Sequence, residues 1–312
     1  MSTSTSSAAI PARGDLLLAA ALVATLFAAD LTLRAVDDRL SGNIVHVARI
    51  PAIAEQIATT GDSRSTLVLG NSLANNGVDG DMLAAALNPG QVAKITPDGT
   101  SFWDWQCILN GQLLGPENRH VGTLVMPTAW HLLSDATRAD PSRLGALFCQ
   151  FRDLRAPADL GLSGPADIGE FAAARVSRLY ALRDTVRNDL LVHVVPHYER
   201  FANEINAKQG RADKGAAAAT PDYSHFSALA AAIEAQGTRL VVVAMPVREP
   251  YEIDAPLIEL AAAGTIRLLD YRHLPGIDHS SFLDRMHLGE QGRAILTAQL
   301  ARDLTTDETA PR

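Results

Sequence analysis

Five short apolar segments, separated by stretches with helical periodicity, constrain the fold of this chain more than any other feature. The segments lie at 66–70, 92–95, 121–126, 239–244 and 265–269. The helical patterns lie at 81–87, 102–114, 223–236, 255–263 and 291–304. Continuous apolar runs that alternate with helices are typical of a parallel sheet covered on both faces. The sequence therefore predicts an α/β fold, a three-layer α/β/α sandwich with a five-stranded parallel sheet.

The interval 132–222, between the third and fourth predicted strands, interrupts this alternation. It carries no strand signal but has Ala-rich helical segments at 168–194 and a polar, low-complexity stretch at 207–221. It is too long for a simple connection between a strand and the next one. We therefore predict a helical insertion with a mobile loop near 207–221.

The N-terminal region contains an apolar run, Leu16 to Ala29, that is uncharged and interrupted only by Thr25. A membrane span needs about 20 residues, which the run reaches if the helix continues past Asp30 to Val36. No convincing signal-peptide cleavage site follows. A core helix of a soluble domain is the alternative, but the segment is apolar on nearly all faces.

We therefore predict a signal-anchor at residues 1–37, crossing the inner (cytoplasmic) membrane once. The positive-inside rule places Arg13 in the cytoplasm and the bulk of the chain on the periplasmic or extracellular side. Residues 38–63 are predicted to be a tether containing a short helix that Pro51 breaks early.

The charge of the chain argues against a nucleic-acid partner, and its cysteine content argues against a zinc site. The net charge is −8 and no Lys/Arg run exceeds two residues, so nucleic acid is not a predicted partner. Cys107 and Cys149 are too few and too far apart for a zinc site. They form either one disulfide, in an exported protein, or two buried thiols, and we favour buried thiols. No metal or organic cofactor is predicted.

Ser72 lies directly after the first predicted strand, and Asp284 and His287 precede the last predicted helix. Each alone is an ordinary turn or helix-cap residue. Together they follow the first and last strands of one parallel sheet, whose carboxyl ends share an edge where ligands bind. A serine needs a base to take its proton, and a histidine base needs a carboxylate to orient it. The three residues are therefore a candidate nucleophile, orienting acid and base.

Two stretches, "LGNSLANNGVD" and "DRMHLGEQGRAIL", resemble the first and last blocks of the SGNH (GDSL-like) hydrolase superfamily, with Asn71 where the family has Asp. The resemblance covers roughly 64–131 and 237–304 and implies a flavodoxin-like catalytic domain at 64–306, followed by a tail at 307–312. It also implies an oxyanion hole formed by the backbone N–H groups of Ser72 and Gly99. The family's Asn after strand three is missing, and Thr128 is a candidate donor in its place.

The anchor and the first block are together similar to proteins that O-acetylate secreted polysaccharides. This branch implies an acyl-serine intermediate, a sugar hydroxyl as acceptor, and a membrane-bound O-acyltransferase as the partner that delivers the acyl group. One alternative is a carbohydrate esterase that uses water as acceptor. The other is a non-catalytic domain that binds polysaccharide or acts as a scaffold.

Three further residues are candidates for substrate binding. Trp130 and His131 follow the third predicted strand and either line the site or lie at its rim. Trp103 could stack on a sugar ring, although packing of an amphipathic helix is the commoner use of such a residue.

Overall fold

The computed structural model describes residues 13–40, 42–60, 65–87, 92–113, 121–198 and 221–308. Its centre is a sheet whose strands are β1 (Thr66–Leu69), β2 (Val92–Ile95), β3 (Thr123–Thr128), β4 (Arg239–Ala244) and β5 (Arg267–Asp270). All neighbouring strands are parallel, in the order β2-β1-β3-β4-β5. This is the flavodoxin-like order, in which ligands bind where the order reverses, between β1 and β3. The predicted five-stranded parallel sheet is confirmed.

The helices cover both faces of the sheet. They are α1 (Arg13–Leu40), α2 (Gly42–Ala48), α3 (Ile50–Thr60), α4 (Ser72–Gly77), α5 (Gly80–Ala86), α6 (Phe102–Ile108), α7 (Pro141–Arg143), α8 (Pro165–Val176), α9 (Arg178–Ala181), α10 (Arg183–Val194), α11 (Ser224–Ala235), α12 (Ala255–Ala262) and α13 (Glu290–Glu308). One face packs against α3, α6, α11 and α12, and the other against α4, α5 and α13. Both faces of the central strands β1, β3 and β4 are therefore buried, which explains their continuous apolar runs.

Strand β3 begins and ends two residues later than the predicted segment 121–126. Its end contains Pro127, which lacks the N–H that a central strand normally donates. Pairing between β1 and β3 ends at Val68 and Val125, so β1 no longer lies beside β3 where the proline occurs. The proline therefore costs no bond to β1, and the strand continues past it.

The prediction of a tether at 38–63 is wrong for the part that the structure describes, residues 38–40 and 42–60. Helix α3 places Ile50, Ala54 and Ile57 in the hydrophobic core, where each is at most 2% exposed. Their spacing is that of one helical face. Pro51 does not break α3 because it is the second residue of the helix, where no intrahelical N–H bond is lost. This segment is thus a layer of the domain.

The region between β3 and β4 is helical where the structure describes it. Besides α7 to α10, it contains a π-helical turn (Leu144–Phe148) and two 3-10 turns (Phe151–Arg155 and Pro157–Leu160). The predicted helical insertion is therefore present. The predicted mobile loop at 207–221 lies outside the described residues, except for residue 221.

Helix α1 contains a 24-residue segment, Gly14–Asp37, that is long and apolar enough to cross a membrane. Its mean hydropathy is 2.2, and none of it is buried in the protein. The alternative of a core helix is therefore wrong, because a core helix would be covered by other parts of the chain.

Cys107 and Cys149 form a disulfide with a Cα–Cα distance of 5.3 Å. The bond joins α6 to the segment after the π-helical turn of the insertion. Our preference for two buried thiols is therefore wrong. The two cysteines are 42 residues apart in sequence, and only the packing of the insertion against α6 brings them together.

Candidate active site

Ser72 is the first residue of α4, at the carboxyl end of β1. A helix thus begins within the polar stretch that follows β1, which shows no apolar periodicity. The Asn71 side chain makes this possible, because its Oδ1 accepts a hydrogen bond from the Leu73 N–H at 3.0 Å. Asn is a favoured N-cap residue for this reason. The cap fixes the orientation of the first turn, which carries the serine.

Gly70 lets α4 lie close to the end of β1. A Cβ atom at this position would lie 2.6 Å from the Cβ atom of Ala74, a distance that real Cβ atoms almost never show. The glycine is thus required by the close approach of the helix and not by an unusual backbone angle. It permits the direct passage from a buried strand to the serine.

The structure brings Ser72, His287 and Asp284 together in a hydrogen-bonded chain. His287 Nε2 lies 2.9 Å from Ser72 Oγ, and His287 Nδ1 lies 2.7 Å from Asp284 Oδ2. The last two residues precede α13, which packs against α4 and α5. Sequence positions 215 residues apart thus meet at one edge of the sheet.

The electrostatics of Asp284 favour its ionised form. Desolvation alone would raise the pKa of Asp284, but hydrogen bonds from the His287 ring and from the backbone N–H groups of Met286 and His287 lower it to about 2. A carboxylate at Nδ1 accepts a hydrogen bond from the N–H of that nitrogen, which leaves Nε2 unprotonated and able to accept a proton from Ser72. This arrangement can activate a serine hydroxyl as a nucleophile.

The loop that carries Gly99 is bound directly to the serine turn. Asn71 Nδ2 donates a hydrogen bond to the Thr100 carbonyl at 3.0 Å. The Thr100 hydroxyl donates to the Pro97 carbonyl at 2.7 Å and accepts from Trp105 Nε1 at 2.9 Å. Gly99 itself is exposed and has a φ of +70°, a left-handed conformation that glycine adopts without strain. Asn71 therefore joins the two segments in which the candidate oxyanion donors lie.

Thr128, the candidate third donor, is the last residue of β3 and is buried. Its hydroxyl oxygen has no hydrogen-bond partner within the described part of the chain. Buried hydroxyls are almost always hydrogen-bonded, so each exception needs an explanation. The hydroxyl therefore has an unused proton, although its oxygen is closed to solvent in this structure.

Trp130 and His131 follow β3, as the sequence indicated. Trp130 has a φ of +50°, uncommon for a residue other than glycine, and its ring lies 5.9 Å from that of Tyr251. His131 is half exposed and its Nδ1 lies 2.7 Å from Asp254 Oδ2. The Tyr223 hydroxyl donates to the same carboxylate oxygen. His131 thus belongs to a second His–Asp pair, which sequence spacing did not reveal because Asp254 lies 123 residues away.

The structure does not place Trp103 where a sugar could stack on it. Its side chain is buried, its Nε1 donates to the Thr137 carbonyl at 2.7 Å, and its ring packs against Gly161. Trp105 is also buried. The packing alternative is therefore the one observed for both tryptophans.

A cavity of about 790 Å³ lies between the Gly99 loop and the insertion. Its lining includes Gly99 and Ser101 on one side and Arg138, Arg143, Glu170 and Arg183 on the other. Arg143 binds both carboxylate oxygens of Asp104, at 3.0 and 2.8 Å. Sequence patterns do not reveal this polar cleft, because its charges come from separate segments that only the fold brings together.

Within the described residues, no group of three or more His, Cys, Asp or Glu side chains could hold a metal ion.

Comparison with known proteins does not assign the chain to a family. None of the models of known protein families matches it, and no curated protein matches it significantly.

Proposed function

We propose that the protein is an acyltransferase that uses Ser72 as its nucleophile. The observation that carries this proposal is the hydrogen-bonded chain from Ser72 through His287 to Asp284, with distances of 2.9 and 2.7 Å. As Ser72 Oγ attacks an ester carbonyl, its proton moves to His287 Nε2. Asp284 holds the ring in the required tautomer and stabilises the resulting imidazolium. The imidazolium then gives the proton to the departing alcohol, leaving an acyl-serine.

The second half of the reaction reverses these roles. The hydroxyl of an acceptor gives its proton to His287 Nε2 and attacks the acyl-serine, and Ser72 regains a proton as it leaves. In both halves the carbonyl oxygen becomes negatively charged. The N–H groups of Ser72 and Gly99 and the hydroxyl of Thr128 are the proposed donors to that oxygen. One such donor contributes about 10²–10³ in rate.

The acceptor that we propose is a hydroxyl of a secreted or cell-envelope polysaccharide, and the acyl group is acetyl. The resemblance of both sequence blocks to the SGNH superfamily supports this assignment. The polar cleft has room for a sugar chain, and among the proposed oxyanion donors Gly99 is the one that lines it. By the same resemblance, a membrane-bound O-acyltransferase is the proposed source of the acyl group.

We propose that the domain lies on the outer side of the cytoplasmic membrane, anchored by α1. The disulfide between Cys107 and Cys149 supports this location, because disulfides persist in oxidising compartments such as the periplasm.

The first test is labelling of the purified protein with a fluorophosphonate, which reacts with activated serines, together with hydrolysis of an aryl acetate. We expect Ser72→Ala to abolish both signals. Ser280→Ala is the control, because Ser280 is an exposed serine whose hydroxyl donates to a carboxylate, Asp278, at 2.6 Å and, within the described residues, has no histidine base. Unchanged labelling of Ser72→Ala would remove this serine from the mechanism.

A second test separates the transferase from the esterase alternative. Adding an oligosaccharide acceptor should yield acetylated sugar at the expense of free acetate. Release of acetate that is unaffected by the acceptor would favour the esterase. The non-catalytic alternative predicts no acyl-serine at all, and the hydrogen bond between His287 and Ser72 counts against it.

A further inference from the structure

The outer end of α1 is bound to the insertion through a charged residue. Asp30 accepts hydrogen bonds from Arg34 Nε, from the Ser177 hydroxyl and from the Leu179 N–H, each at 2.8 Å. Arg34 also donates to the Val176 carbonyl at 2.5 Å. A charge within an apolar helix is costly unless it is paired, and here every partner is supplied by α1 or by the start of α9. These bonds fix the insertion against the last turns of the apolar segment.

An apolar groove lies beside this contact, between α1 and the insertion. Its volume is about 1080 Å³ and its lining is almost entirely apolar. The α1 wall includes Val23, Leu26, Phe27 and Leu31, and the facing wall includes Val176, Leu179, Val186 and Leu190. A groove of this size and character, left open to water, is unusual on a soluble surface.

The α1 wall of the groove lies within the apolar segment of that helix. Val23 and Leu31 both belong to the segment Gly14–Asp37, which is long enough to cross a membrane. With a rise of 1.5 Å per residue, Val23 lies about 10 Å further into the membrane than Asp30. The side chains of the insertion that face Val23 and Phe27 therefore lie within the hydrocarbon layer if α1 crosses the bilayer.

Helix α10 has the side chains needed for such a position. Val186, Leu190 and Val194 form a stripe at i, i+4 and i+8 on one face. Leu190 is 60% exposed and Val194 is 66% exposed. Arg187 lies beside this stripe with a side chain that is 63% exposed, and long basic side chains can extend from an apolar surface to the lipid headgroups. The neighbouring Arg183 instead pairs with Glu170.

We propose that acyl chains of the outer leaflet fill this groove and that α10 lies in the membrane interface, with its apolar stripe towards the lipid. The inference rests on the proposed anchoring by α1. Lipid is favoured over a partner's transmembrane helix, because helices associate in membranes mainly through small residues. Large side chains such as Phe27, Leu26 and Leu190 dominate this groove. The apolar segment of α1 is not buried in the protein, so a bilayer that it crosses supplies lipid to the groove directly.

The test places an environment-sensitive NBD label on single added cysteines in the full chain, reconstituted in phosphatidylcholine liposomes. Leu190→Cys reports on the groove, Leu22→Cys on α1, and Ile258→Cys is a control on α12 that is 53% exposed. The native cysteines are already joined in a disulfide and do not react. We expect lipids with spin labels on their acyl chains to quench the labels at 190 and 22 strongly and to leave the label at 258 unaffected.

The outcomes separate this inference from its premise. Quenching at 22 without quenching at 190 would overturn the immersion of α10 and leave the anchor intact. No quenching at 22 would overturn the anchor and the inference together, without bearing on the chemistry of Ser72. A photo-crosslinker at 190 in native membranes should give lipid adducts, and a single protein adduct of fixed mass would overturn lipid occupancy in favour of a partner helix.

Discussion

The Asn71 side chain both accepts and donates a hydrogen bond, which an amide can do and a carboxylate cannot. The SGNH superfamily, which the sequence resembles, has Asp at this position. Asn71 Oδ1 caps α4 by accepting from the Leu73 N–H, and Asn71 Nδ2 donates to the Thr100 carbonyl, each at 3.0 Å. A carboxylate can accept but cannot donate. In Asn71→Asp, the cap is kept and a negatively charged oxygen faces the carbonyl oxygen of Thr100 at a site that is only 7% exposed.

The size of the effect follows from these contacts. Losing the hydrogen bond and leaving a buried carbonyl unpaired costs about 1–3 kcal/mol, and the repulsion between the two oxygens adds to this. The charge gains about 0.3–1 kcal/mol at the N-terminus of α4. We therefore expect Asn71→Asp to lower the free energy of unfolding by about 2 kcal/mol. For a domain of this size, that corresponds to a decrease in Tm of about 4–8 °C.

The assay is thermal unfolding in detergent, followed by tryptophan fluorescence, since Trp105 belongs to the same hydrogen-bond network. Asn75→Asp is a matched control in the same helix, because the exposed Asn75 side chain acts as an acceptor, from the Thr96 hydroxyl at 3.4 Å. Its expected change is within about 0.5 kcal/mol. An Asn71→Asp variant as stable as the wild type would refute the proposed double role of the amide.

Four further outcomes are expected. Asp284→Asn should lower kcat/KM for an aryl acetate by about 10⁴-fold, since the imidazole loses its preferred tautomer. The low pKa of Asp284 stabilises the folded state above the unfolded value of about 3.9. The difference in unfolding free energy between wild type and Asp284→Asn should therefore stay constant from about pH 7 to 5 and diminish as the pH falls towards 2. If this difference had already vanished at pH 5, the low pKa of Asp284 would be contradicted. Gly70→Ala should lower the free energy of unfolding by about 1–3 kcal/mol, because the added Cβ overpacks against Ala74. Gly169→Ala is the control and should not destabilise α8, because no atom lies within 4 Å of its added Cβ. Equal Tm values for the two variants would argue against the close approach of α4 to Gly70. Replacing Cys107 and Cys149 by Ala should cost about 4 kcal/mol, and a reductant should then no longer affect unfolding; continued sensitivity to reductant would contradict the assigned bond.

Sequence patterns predicted the sheet well because its central strands are buried on both faces, so that apolar content alone marks them. Strands β2 and β4 have the predicted bounds. The helix that begins at Ser72 was missed, because its short sequence is polar and depends on a cap and on Gly70. The place of α3 in the core was also missed, since Pro51 was interpreted as a break without regard to its position in the helix.

The candidate site was predictable where it depends on topology and unpredictable where it depends on long-range packing. Ser72 and His287 each follow a strand end, so a parallel sheet predicts their meeting. The pairing of His131 with Asp254, the salt bridge between Asp104 and Arg143, and the disulfide join segments with no common pattern. Each depends on how the insertion and its neighbours pack against the sheet.

The short connections between α1 and the domain have a consequence for how the proposed enzyme meets its substrates. One residue separates α1 from α2, one separates α2 from α3, and Ile50, Ala54 and Ile57 of α3 lie in the core. If α1 crosses the bilayer, Ser72 stays at a constant height above the membrane and cannot swing out to collect an acyl group. Donor and enzyme then find each other by lateral diffusion in the plane of the membrane, and the polysaccharide must pass within reach of that fixed height.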